Sequence, residues 1–72
     1  MIYKVSYVVS GGGHPGGIMN EYEMPKLGDR VQIGDSTFEV IEVLEMTPPR
    51  GEFQYLHVTV KPLAEDGGAK KP

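Results

Sequence analysis

The chain has two imidazoles, His14 and His57, and they are its first candidates for chemistry. An imidazole titrates near neutral pH and ligates metals, so with Glu21, Asp35 or Glu52 they could form a metal site or an acid–base pair. Their spacing matches no ligand pattern of the two-histidines-on-one-helix-turn kind. The simpler expectation is a loop residue and a strand-surface residue, so no metal ligand and no cofactor is assigned. Ser6, Ser10 and Ser36 lack the strained, exposed turn that a serine nucleophile needs. An enzyme is therefore not the expected reading. A role for a small molecule or metal at His14 and His57 stands third among the functions considered.

The most unusual segment is 10–17, Ser-Gly-Gly-Gly-His-Pro-Gly-Gly, with five glycines in eight residues. Glycine-dense turns can aim several backbone N–H groups at an anion. The phosphate-cradling versions lead into a helix and bring a lysine, and this one does neither. It reads as a hairpin connection, with a loop that orders on a partner as the functional alternative. A second loop, 47–51, holds Thr-Pro-Pro-Arg-Gly, where consecutive prolines deny a ladder two donors. Aromatic side chains flank these loops, and exposed aromatics beside an arginine suit a protein contact patch. The candidate partner-binding residues are His14, Tyr22, Pro48, Pro49, Arg50, Phe53 and Tyr55.

These residues need a frame, and the hydrophobic pattern supplies one. Residues 2–9 alternate, with Tyr3, Val5, Tyr7 and Val9 on one side and Lys4 and Ser6 on the other. Period two with β-branched and aromatic residues marks a half-buried strand. Residues 18–24 alternate again, and Met19, Glu21 and Glu23 suggest an acidic outer face. Residues 30–33 place Val31 and Ile33 inward, and Gly34-Asp35 closes a hairpin into a strand over 37–46. In that strand Glu39, Glu42 and Glu45 recur every third residue, as on the wet side of a helix. The β-branched Val40, Ile41 and Val43 favour a strand instead. The inward parity slips from Phe38 and Val40 to Ile41 and Val43, which predicts a β-bulge near 40–41. The last strand, 52–61, sets Leu56, Val58 and Val60 on one side, with Phe53 and Tyr55 opposite.

Five short strands within 72 residues imply one domain, all-β, folded as a small five-stranded antiparallel barrel or roll. The barrel domain spans 1–63, and 64–72 has too little apolar side chain to bury and is expected as a disordered tail. The segment Pro25-Lys26-Leu27-Gly28-Asp29-Arg30-Val31-Gln32-Ile33-Gly34, followed by Phe38-Glu39-Val40-Ile41-Glu42-Val43, resembles the SH3-like small barrels and their KOW-type relatives. The resemblance covers about 20 residues and implies a fold. It carries over no binding residue, since the basic loop of KOW domains is missing and there is no tryptophan for a proline-binding groove.

Charge narrows the function. Residues 21–52 hold eight acidic against three basic side chains, and the whole chain has net charge −3. Nucleic-acid binding draws on clustered lysine and arginine. A nucleic-acid barrel using Arg50, Lys61, Lys70 and Lys71 is thus the second reading. The first is a non-enzymatic protein-interaction module, with oligomeric state open. The chain has no cysteine, which rules out thiolate zinc sites, disulfides and cysteine nucleophiles and fits a reducing compartment. No apolar run nears the roughly 18 residues of a membrane-spanning helix. Cytoplasmic residence, with no membrane partner, is the expectation.

Overall fold

The computed structural model describes residues 1–48 and 50–63. They form β1 (Ile2–Val9), β2 (Gly17–Glu21), β3 (Arg30–Ile33), β4 (Ser36–Glu45) and β5 (Phe53–Pro62), with no helix among the described residues. Pro49 and the tail expected over 64–72 lie outside them.

All five strands belong to one sheet with the order β2-β1-β5-β4-β3, curled into a half-barrel. The neighbours joined by loops, β1–β2, β3–β4 and β4–β5, pair antiparallel. The central seam differs from the all-antiparallel expectation. There β1 and β5 run parallel, in unbroken register from Ile2 opposite Phe53 to Val9 opposite Val60. Alternation shows which face of a strand is buried, but not the direction of a partner far away in sequence. The crossover that a parallel pair requires is here the whole β2–β3–β4 excursion.

The seam carries the core. Val5, Tyr7 and Val9 of β1 face Leu56, Val58 and Val60 of β5, and Ile33, Phe38 and Val40 close over them. The predicted bulge is present: the β4–β5 register shifts between Val40 and Glu42. It returns Val43 to the inner face and leaves Ile41 exposed, so Ile41 is the extra residue rather than an inward one.

The second strand stops at Glu21, short of the expected 24, and its faces are inverted. Gly17, Met19 and Glu21 share register with inward-facing Tyr7, Val5 and Tyr3. Glu21 therefore points in, where its Oε2 accepts a 2.9 Å hydrogen bond from the Tyr7 hydroxyl, and Ile18 points out. A buried phenol needs an acceptor, and this requirement sets the parity of β2. Beyond it, Met24 packs against the core and Pro25 is buried. The connection from β2 to β3 therefore stoppers the open side of the half-barrel.

Candidate functional site

The glycine-rich loop caps one end of the sheet. His14 lies edge-on against Phe38, with ring centroids 5.1 Å apart and planes at 71°. Its Nδ1 accepts the Gly16 N–H at 3.0 Å. Gly16 has φ +73, and a Cβ there would run into the Tyr7 carbonyl oxygen, so glycine is required. His14 is thereby turned toward the core. His57 stands on the outer face opposite Ser6. The two imidazoles do not meet, and among the described residues no group of three or more His, Asp or Glu is placed to hold a metal ion.

The 47–51 loop sits at the other end, because β5 starts where β1 starts. Eight extended residues separate the two ends by roughly 23 Å, at about 3.3 Å per step. One compact contact cannot engage both loops through their tips. Pro48 and Arg50 are exposed, and Pro49 lies outside the described residues. Arg50 and Phe53 exchange backbone hydrogen bonds of 2.9 and 3.0 Å around Gly51-Glu52. Gly51 has φ +58, as the first position of a two-residue hairpin loop of this kind demands. Tyr22 is 77% exposed and lies near Tyr3, Glu23 and Lys26, beside the stoppered mouth.

Arg50, Phe53 and Tyr55 thus gather at one end, and the two aromatics open onto the outer face of the sheet. That face is built by strand parity. One row across it runs Ile18, Ser6, His57, Leu44, and the next runs Asn20, Lys4, Tyr55. Met46 joins the second row, since its N–H donates to the Tyr55 carbonyl at 3.0 Å. Ile18, Leu44, Met46, Phe53 and Tyr55 all retain about half or more of their surface. Single exposed apolar residues are ordinary, whereas a contiguous set marks a contact surface.

Between these rows lies a groove of about 280 Å³ lined by Ile18, Met46, Tyr55, Lys4, Ser6 and His57, with buried Leu56 beneath. Its wall at Met46 is fixed from below. Gln54, 3% exposed, donates from Nε2 to the Glu45 carboxylate at 3.0 Å and to the Thr47 carbonyl at 3.1 Å. The Thr47 hydroxyl accepts the Tyr55 N–H at 3.2 Å. These bonds pin the chain leaving β4 against β5 and hold Met46 beside Tyr55.

The acidic row divides. Glu39 pairs with Lys61 at 3.9 Å and Glu42 accepts from the Thr59 hydroxyl at 3.1 Å, both on the outer face. The bulge turns Glu45 to the inner side, toward Gln54. A second recess, of about 290 Å³, opens between β2 and β3 over Tyr7 and is rimmed by Glu21, Glu23, Asp29 and Arg30. Burial, and then the hydrogen bond to Glu21, push the Tyr7 phenol above its ordinary range, and the charges of Glu21 and Asp29 add to the effect.

Sequence reasoning placed Phe53 and Tyr55 correctly opposite Leu56. It missed Ile18, because the parity of β2 was inverted, and Met46 and Leu44, because nothing local to β4 shows which strand its outer face adjoins. Among the described residues, no helix is long and apolar enough to cross a membrane. No family model matches the chain, and no curated protein and no solved structure matches it.

Proposed function

We propose that the protein is a non-enzymatic interaction module that binds another protein through the outer face of its sheet, in the cytoplasm. The observation that carries this reading is the exposed set Ile18, Leu44, Met46, Phe53 and Tyr55, drawn from three strands and the segment after β4 onto one surface. Rigid aromatic side chains on a sheet lose little entropy on binding, methionine adapts its shape to what it meets, and both provide apolar area, which suits a protein partner. Phe53, Tyr55 and Arg50 supply the part of this surface that borders the 47–51 loop. Loop 10–17, folded onto Phe38, is assigned a capping role instead.

The finer fold reading, an SH3-like half-barrel, rests on the Gly28-Asp29-Arg30-Val31 turn into β3 and the tight β3–β4 hairpin. The parallel β1–β5 seam departs from an all-antiparallel barrel. Binding of nucleic acid is less favoured, because the outer face also carries Glu39 and Glu42 and the chain is net acidic.

The test is capture from nuclease-treated lysate by the wild-type chain and by Tyr55→Lys. A protein held by the first and lost from the second supports the reading. Equal capture by both, or loss of all partners on nuclease treatment, contradicts it.

A further inference from the structure

The outer-face groove differs in charge from three other recesses among the described residues. The mouth recess is rimmed by Glu21, Glu23 and Asp29 with Arg30, its neighbour beside Tyr22 by Glu23 and Asp29 with Lys26, and the recess behind Leu27 by Glu42 and Glu45 with Lys26, so each has more carboxylates than cations. Among the described residues the groove has no carboxylate, in a chain with ten acidic residues against seven basic. The charged side chain that lines it among the described residues is Lys4, half-buried on β1 between Asn20 of β2 and Tyr55 of β5. The ion pair found among the described residues, Lys61 with Glu39, does not involve it.

We infer that the groove accepts an apolar segment of the partner protein bearing a carboxylate, which Lys4 holds while Ile18, Met46 and Tyr55 enclose the neighbouring apolar side chain. This rests on the outer face being the contact surface. An ammonium set among apolar walls makes a stronger charge-assisted bond than one in open water, because the effective dielectric is lower. The same walls gain from covering apolar area. Ser6 and His57, in the adjoining row, offer polar contacts to the backbone of such a segment. A nucleic acid fits less well: one ammonium meets one phosphate, and a backbone continuing across the face would meet Glu42 and Glu39.

The experiment is selection of a display library of short randomised peptides against the whole chain, as wild type, Lys4→Met, Lys4→Arg and Tyr55→Lys. Wild type is expected to enrich sequences with Asp or Glu beside Leu, Ile or Phe. Changing that acid to its amide should weaken a selected peptide by about 10-fold, the size of a charge-assisted bond. In Lys4→Met the acid–amide difference should shrink to under about 2-fold, and in Lys4→Arg it should persist. Enrichment without an acidic residue, no enrichment at all, or an undiminished preference in Lys4→Met overturns the inference. So does single-stranded oligothymidylate binding more tightly than the selected peptides. If Tyr55→Lys abolishes peptide binding while acid and amide bind alike, the contact face stands and the carboxylate chemistry fails. If Tyr55→Lys binds the selected peptides unchanged, the contact face itself is wrong.

Discussion

Lys4 and Tyr55 stand directly opposite each other across the parallel β1–β5 seam, and both project from the outer face. Their inward neighbours, Val5 and Leu56, are the centre of the core. The pairing that buries the most apolar side chain therefore also fixes the geometry of the surface. A partner contact built on this seam rests on two paired strands whose opposite face carries core residues.

Ile18 separates binding from stability. It is 71% exposed, so Ile18→Lys should change the unfolding free energy by no more than about 0.5 kcal/mol, the usual range for surface sites. Partner capture should nonetheless fall at least as far as it does for Tyr55→Lys. Urea unfolding paired with capture checks both halves.

Gln54 acts as a positioning residue. Gln54→Ala removes two hydrogen bonds from a buried amide and should cost about 2 kcal/mol. The specific sign is faster hydrogen exchange at the Met46 amide, beyond the change expected from lower global stability. Unchanged relative protection there would show that the groove wall is held by other contacts.

Gly16 and Gly12 share a left-handed backbone but differ in surroundings. A Cβ at Gly12 meets nothing, so Gly12→Ala should cost about 1 kcal/mol from backbone preference alone. At Gly16 the Tyr7 carbonyl stands in the way, and Gly16→Ala should cost on the order of 3 kcal/mol. Similar denaturation midpoints for the two variants would remove the capping role of loop 10–17.

Tyr7 sets the alkaline limit. The folded chain holds the Tyr7 proton to higher pH than the unfolded chain, whose phenol titrates near its ordinary value of about 10. Above that pH the folded state binds more protons, so stability falls as pH rises, by up to about 1.4 kcal/mol per unit. Below it the contribution is fully present. Tyr7→Phe should flatten the fall between pH 9 and pH 11 by roughly that amount, as read from urea midpoints.

What the sequence conveyed was mostly local. Period-two alternation located β1, and the slip after Val40 located the bulge, because both follow from which side chains must be buried. The Tyr7–Glu21 bond was not legible, since a contact between two strands carries no local pattern, and without it the faces of β2 came out reversed. The parallel seam was hidden for the same reason. The candidate site was half legible: Phe53 and Tyr55 followed from alternation along β5. Lys4, Ile18 and Met46 joined them only once the strand order was known.

The most direct test of the outer-face account is an amide chemical-shift map of the whole protein titrated with a captured partner. The account predicts shifts concentrated at Lys4, Ser6, Ile18, Met46, Tyr55 and His57, with Gly11 to Gly13 and Asp29 to Val31 unmoved. Shifts centred on the mouth recess over Tyr7, or on loop 10–17, with the outer-face amides unmoved, would contradict it.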